Sequence, residues 1–346
     1  MLIALSTPPF GFWPLAVLGV AAALLAIEGR RLRSRLGLGY LTGLGQFAIT
    51  WWWMGEFTLG AALAILAEAV FFALACAAIP TERGWPAIAL GGTASFTLAE
   101  ALRTVAPFGG IPLGGAPLGQ VGGPLAPAAR LGGELLVMAC IAAAAAAILP
   151  QVRRTRAVPW VAAAFVVASA AGGAVAPRGQ TTETIDVAVV QGGGPVGFRA
   201  VETDRSEVLE RHLEASEAIP ADTALIVWPE NVIDVGRELE GTPEAEAVAE
   251  VARAHDAPLV AGVTRDAPPD NFLNEAVVWD AGGEIIDRYE KVRRVPFGEY
   301  IPGRALIDKF YDLSVIPRDA VAGKGPAVVD TPVGRLGVMI SNEVFF

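Results

Sequence analysis

The apolar positions of this chain follow two different rhythms. Up to residue 176 they run in long blocks, at 12–28, 37–55, 59–79, 86–105, 131–149 and 158–176. Each block approaches the ~20 apolar residues that a helix needs to cross a bilayer, so six spans are predicted. Met1 to Phe10 is also apolar, but it is short and closed by Pro8-Pro9, and it reads as the stub of an earlier helix. No positive segment opens it, so it is not read as a cleaved signal peptide.

After a polar linker at 177–183 the rhythm shortens. IDVAVVQ (185–191), ALIVWPE (224–230) and PLVAGVT (258–264) read as buried strands. RSEVLERHLEASEAI (205–219) and PEAEAVAEVARAHD (243–256) have the spacing of amphipathic helices. NEAVVWD (274–280) and EIIDRYEKV (284–292) flank Ala281-Gly282-Gly283 and predict a hairpin. AVVDTPVGRLGVMIS (327–341) holds a further pair of strands around a Pro-Val-Gly turn. Strand–helix alternation followed by hairpins predicts a mixed α/β sandwich. The organisation is then a transmembrane helical domain at 1–176, the linker, and a second domain at 184–346.

Charge sharpens this division. Residues 1–180 carry 6 acidic and 11 basic residues, and the remainder carries 30 and 15. An acidic second half argues against nucleic acid as a partner, since that binding needs a basic footprint. Arg30, Arg31, Arg33 and Arg35 follow the first span, Arg83 the third, and Arg153, Arg154 and Arg156 the fifth. The positive-inside rule makes these loops cytoplasmic and places residue 177 onward outside the cytoplasm, at the outer face of the cell membrane.

Several polar residues interrupt the apolar half. Glu68 lies inside the third span, and Glu100 and Arg103 are spaced i, i+3 near the end of the fourth. Ionisable residues within a span are costly, which points to function or to mutual pairing. Trp51, Trp52 and Trp53 end a span and are expected as interfacial anchors. The Gly/Pro-rich stretch 106–130 cannot form a regular helix and is expected as a mobile or re-entrant lip beside the bilayer. Cys76 and Cys140 sit in apolar blocks and read as small packing residues. His212 and His255 lie among charges and are expected in solvent. No metal-ligand spacing is visible, and no cofactor is implied.

The candidate chemistry lies in the last third. Glu230 ends an apolar strand, Lys291 follows a strand, and Ser341 ends RLGVMI. Singly, each reads as an ordinary strand-end or loop residue. As an ordered set they supply what acyl transfer needs. Ser341 would be the nucleophile and Glu230 the base that takes its proton. Lys291 would be the cation that stabilises an oxyanion. Glu299 could hold the lysine or assist the base, and Glu343 could support the site in a similar way.

These motifs resemble the apolipoprotein N-acyltransferase family across the whole chain. PPFGFWPLA (8–16), the Trp-rich span end, LAEALR (99–104) and the Gly/Pro-rich loop are similar to the family's membrane part. VAVVQG (187–192), WPE (228–230), FLNEAVVWD (272–280), YEKVRRVPFGEYIPG (289–303) and LGVMISNE are similar to its nitrilase-like part. The resemblance implies a multi-span helical domain followed by an α/β nitrilase-like (αββα) sandwich. It puts the catalytic glutamate at Glu230, the lysine at Lys291, a second glutamate at Glu299 and the following glutamate at Glu343. It implies a bacterial membrane enzyme that takes an acyl chain from a phospholipid as an acyl-enzyme. The chain then passes to the amine of a lipoprotein's N-terminal diacylglyceryl-cysteine.

The sequence departs from that pattern in two places. Ser341 stands where the family has its nucleophilic cysteine, and Asn342 where an aromatic residue usually follows. A natural oxygen-ester enzyme, a substitution that traps substrate and a catalytically inactive relative all fit Ser341. The change at Asn342 favours natural divergence. An inactive relative would act as a module that binds lipid or lipoprotein, or anchors a partner. A membrane-tethered amidase using water as acceptor is the other alternative. The chain stops at Phe346, so a fragment is expected, with the sandwich truncated in its C-terminal part.

Overall fold

The computed structural model describes all residues except 57–59, 156, 195–204, 311–312, 314–315 and 346. Arg156, the start of the predicted third span at residue 59, and Phe346 lie outside the described residues. The chain divides into two compact units, Met1–Gly179 and Gln180–Phe346.

The first unit is helical. A short α1 (Leu2–Ser6) occupies the predicted N-terminal stub. The six apolar blocks become α2 (Pro14–Ile27), α3 (Leu32–Thr50), α4 (Ala61–Ala78), α5 (Trp85–Arg103), α6 (Ala129–Ile148) and α8 (Val158–Val175), with a single turn α7 (Pro150–Arg153) before the last. Among the described residues, the segments Ala61–Arg83, Ala126–Ile148 and Val158–Val175 are long and apolar enough to cross a membrane. α2 is shorter, with 14 residues. α3 and α5 are long enough but carry charged and polar residues such as Arg33, Arg35, Glu100 and Arg103.

Small residues decide how closely these helices meet. Gly39 and Gly43, one turn apart on α3, face α4. A Cβ on Gly39 would collide with the backbone at Phe72 and Ala73, and one on Gly43 with Ala69. Such close approach is how apolar helices gain contact where lipid offers no hydrophobic contrast.

Arg103 answers the question of the ionisable residues. Its side chain is fully buried; Nε donates to Glu68 and Nη1 to Glu100, each at 2.8 Å. Nη2 donates to the carbonyls of Ile111 (2.8 Å) and Leu113 (2.5 Å). The guanidinium also lies 4.8 Å from the centre of the Phe47 ring. One side chain thus joins α4 and α5 to the Gly/Pro-rich stretch. The middle of that stretch is tied to the helices rather than free. Residues 114–117, 119 and 120 are buried, Gln46 Nε2 donates to Gly114 O, and Gln120 Nε2 to Trp13 O. Trp51 also departs from expectation. It is buried against Phe47, whereas Trp52 and Trp53 are exposed as interfacial anchors would be.

The second unit is built on a seven-stranded sheet. β1 (Val187–Val189), β2 (Leu225–Val227) and β4 (Leu259–Ala267) run parallel. β5 (Asn271–Trp279) and β6 (Ile285–Glu290) continue antiparallel across the predicted hairpin. β3 (Ile233–Val235) and β7 (Asp319–Ala320) add short pairings to β4 and β5. α9 (Arg205–Ser216) and α10 (Pro243–His255) belong to one core, with Ile226, Ala261, Val277 and Trp279. α10 begins at a Thr242 side-chain cap on Ala245 N. Alternate strand positions, Leu225, Val260, Ala276 and Val278, form a second core with Val329 and Ile340. The hairpin of β8 (Val328–Thr331) and β9 (Gly334–Gly337) covers that face. A four-residue α11 (Arg304–Ile307) lies in the connection before β7.

His212 is a correction to the sequence reading. It is 1% exposed, not solvated: Nδ1 lies 2.7 Å from Val208 O and the ring packs 5.6 Å from Trp228. Its charged neighbours occupy the outer face of α9, while position 212 shares the inner face with Leu209. Cys76 and Cys140 are buried and free.

Candidate active site

Glu230 lies in an interruption of the sheet rather than at a strand end. β2 and β3 pair in succession with the same strand, β4: Val227 opposite Val260, then Ile233 opposite Val263. Residues 228–232 loop out between them. Gly262 closes the loop, donating from its N–H to Pro229 O and accepting from Val232 N, both at 3.0 Å. A Cβ on Gly262 would overlap Pro229 O and the Glu230 Cα. Asn231 takes φ +59°, the left-handed region that Asn tolerates better than most residues. The glycine and the asparagine together let the carboxylate stand out beside β4.

Lys291 extends the β5/β6 ladder by one residue. Its N–H donates to Asn274 O at 2.8 Å, and its carbonyl accepts from Gly323 N at 2.9 Å. The residue is 1% exposed, and Nζ donates to Glu230 Oε1 (2.9 Å) and Glu299 Oε1 (2.6 Å). Burial alone would lower the lysine pKa. Glu299 and Glu230 outweigh it and hold the ammonium above its usual range. Lys291 is therefore a fixed cation at neutral pH, not a base.

The two glutamates differ in their freedom. Glu299 is tied at both oxygens, Oε1 to Lys291 and Oε2 to Val295 N at 2.8 Å. Glu230 accepts both its hydrogen bonds at Oε1, from Lys291 and from Asn274 Nδ2 at 2.6 Å. Among the described residues its Oε2 has no partner, so that oxygen can take a proton.

Ser341 begins a 3-10 turn, Ser341–Phe345, just after the β8–β9 hairpin. It does not end a strand as the sequence suggested: β9 stops at Gly337, and Val338 N still bonds Ala327 O. Ser341 has φ +50°, a left-handed conformation that costs a non-glycine residue ~1–2 kcal/mol. Ser341 and Glu230 line one cavity of about 450 Å³, together with Trp228, Val260, Met339 and Ile340.

Glu343 does not reach the lysine or the cavity. Its carboxylate is buried and receives Tyr289 OH (2.7 Å), Val292 N (2.8 Å), Arg293 N (3.0 Å) and Ile340 N (3.0 Å). Burial raises its pKa, but these donors outweigh that and hold it below the ordinary carboxylate value. It bolts the segment after Lys291 to the turn that carries Ser341.

Asn274 escaped the sequence reading. It reaches both Glu230 and Glu299 (3.4 Å) from the middle of β5. The sequence offered only its parity, two residues before Ala276 on the cavity face, in a strand that also holds Asn271 and Glu275. Among the described residues no group of three or more metal-ligating side chains is gathered.

Residues 1–147 match the apolipoprotein N-acyltransferase N-terminal domain, and residues 186–346 match the carbon-nitrogen hydrolase domain. An apolipoprotein N-acyltransferase of Sinorhizobium medicae is 30% identical over 399 residues, spanning 100% of this chain and 73% of that protein. The chain belongs to the apolipoprotein N-acyltransferase family. An Azotobacter vinelandii member is 29% identical over 379 residues, covering 100% of this chain and 71% of its own length. Among solved structures, a nitrilase-superfamily protein of Saccharomyces cerevisiae aligns at TM-score 0.32 and 21% identity, covering 44% of this chain and 54% of its own. A carbon-nitrogen hydrolase of Helicobacter pylori aligns at 0.30 and 21%, covering 45% and 50%. By the family models the α/β unit is a carbon-nitrogen hydrolase domain, and the apolar helices before it are those of a bacterial membrane protein.

Proposed function

We propose that this chain transfers an acyl chain from a phospholipid to the N-terminal amine of a diacylglyceryl-modified lipoprotein, with Ser341 as nucleophile. The observation that carries this is the Lys291 ammonium, buried between Glu230 and Glu299, with Glu230 lining the same cavity as Ser341. Family membership supports lipoprotein N-acylation in general.

The roles follow from the bonding. Glu230 Oε2 accepts the Ser341 hydroxyl proton as Oγ attacks the ester carbonyl of the phospholipid. Lys291 stabilises the oxyanion that develops. Collapse expels the lysophospholipid, which takes the proton from Glu230, and leaves an ester on Ser341. The lipoprotein amine then attacks that ester. Glu230 takes a proton from the nitrogen and returns it to Oγ as the amide forms. Glu299 holds the lysine, Asn274 holds the glutamate, and Glu343 fixes the Ser341 turn. The six helical blocks are read as six spans, and the arginine-bearing loops support an extracytoplasmic second unit.

An inactive binding module is the second reading, and Ser341 favours it, because a hydroxyl is a much weaker nucleophile than a thiolate. The test supplies membranes carrying the chain with phospholipid and a diacylglyceryl-lipopeptide, and follows the lipopeptide mass. Addition of one acyl chain by the Ser341 protein, lost in Ser341→Ala, supports the serine enzyme. Product from Ser341→Cys alone means that the scaffold is intact and the serine disabled. Silence from all three favours the binding module. Hydrolysis of small amides without lipid favours a membrane-tethered amidase instead.

A further inference from the structure

A second cavity, of about 530 Å³, lies in the helical unit and shares no residue with the one beside Glu230. It is formed by the start of α5 (Ala89, Thr93), the end of α6 (Ala143, Ala146) and the first two turns of α8 (Ala162, Phe165). Its volume is in the ~300–1,000 Å³ range of small-molecule sites. Its lining is apolar among the described residues apart from Thr93, whose hydroxyl donates to the carbonyl of Ala89. Leu90, Trp160 and Val161 around it are strongly exposed, as residues facing acyl chains would be.

Two arginines stand in the turns that lead into the lining segments of this groove. Arg83 lies three residues before Pro86, and Arg154 three residues before Ala157, both of which line the groove. Both arginines are exposed. Glu82, the acidic neighbour of Arg83, faces the buried guanidinium of Arg35 at 3.7 Å. Two exposed cations, each three residues from a lining residue of an apolar slot, match a ligand with an anionic head and hydrocarbon tails. We propose that this groove is a binding site for an anionic phospholipid, its acyl chains among α5, α6 and α8 and its phosphate at Arg83 and Arg154. The inference rests on α6 and α8 lying in a bilayer. It does not rest on turnover at Ser341.

Native mass spectrometry of the full chain, released from nanodiscs of equal phosphatidylglycerol and phosphatidylethanolamine, tests the proposal. The expected result is retention of phosphatidylglycerol well above phosphatidylethanolamine. The double variant Arg83→Gln/Arg154→Gln should lower that ratio about five-fold for each arginine removed. Ala162→Trp, which fills the groove, should lower retention of both lipids. Arg30→Gln/Arg31→Gln removes two exposed arginines from the α2–α3 turn and should leave the ratio unchanged. Equal retention of the two lipids by the unaltered chain would overturn the site. So would an equal fall in the Arg30/Arg31 control, because the preference would then come from diffuse charge, or Ala162→Trp leaving retention of both lipids unchanged.

Discussion

Asn274 and Lys291 are cross-strand neighbours whose side chains donate to the same oxygen of Glu230. The lysine supplies charge and the amide supplies direction. A hydrogen bond to a charged acceptor contributes ~1.5–3 kcal/mol, so losing it should slow a reaction that depends on the aim of Glu230 by roughly tenfold or more. Asn274→Leu should therefore lower the lipopeptide acylation rate by that factor while the fold persists. Rates unchanged from those of the unaltered chain would show that Lys291 alone positions the base.

Lys291→Met should destabilise the second unit. The side chain is nearly the right size, but two neighbouring carboxylates lose their shared cation. Removing one partner from a buried ion pair costs ~3–5 kcal/mol, and the partial exposure of Glu230 places this case at or below the lower end. Adding Glu299→Gln should restore part of the loss by removing one of the uncompensated charges. Thermal melting of the single and double variants measures both changes. Equal melting of the two would mean that the carboxylates do not repel.

Gly262→Ala should reduce activity far more than a methyl group suggests. The new Cβ would meet Pro229 O and Glu230 Cα, so the loop carrying the base must shift. A shift of about 1 Å at a catalytic group can cost on the order of 10²-fold. Gly262→Ala with a normal acylation rate would mean that the 228–232 loop yields without moving its carboxylate.

Glu343 predicts an acid-sensitive connection. Its folded pKa lies below the ordinary 4.5, so its contribution is fully present above about 4.5 and is lost as pH falls through the depressed value. Glu343→Gln should be less stable than the unaltered chain at pH 6, and the gap should narrow steadily below pH ~4.5. Melting curves from pH 6 to pH 3 read this directly; a gap independent of pH would place the stabilisation outside the carboxylate's charge. Lys291 behaves oppositely. With its pKa raised, its contribution is intact below the usual 10.5 and fades as pH rises through the higher value.

Much of this architecture was legible because burial imposes strong periodicity. The six apolar blocks, the two amphipathic helices and the Gly282-Gly283 hairpin needed only local pattern. β3 and β7 were not legible. They are three and two residues long, and they exist because β4 and β5 offer them edges. His212 misled for a related reason: its sequence neighbours are charged, but burial on a helix is decided by the face, not by adjacency. At the site, Glu230, Lys291 and Ser341 were readable as an ordered set with Glu299 in support; the structure brings Glu230, Lys291 and Glu299 within hydrogen-bonding reach, while Ser341 shares only a cavity with Glu230. Asn274 was not read, since its role appears only when β5 lies between β4 and β6. Glu343 was read as support for the site, but three of the four groups it grips are backbone N–H, which no side-chain pattern encodes.

The interruption between β2 and β3 has a further consequence. Both ends of the 228–232 excursion are clamped to one neighbouring strand, so their separation is set before the excursion is built. Extra residues there would leave both clamps closed, because lengthening a loop adds little closure cost. The carboxylate at the tip would nonetheless ride outward. The reach of the base is therefore a matter of residue count. A single inserted amino acid could retarget it towards a differently placed acyl group while every strand pairing stays as it is.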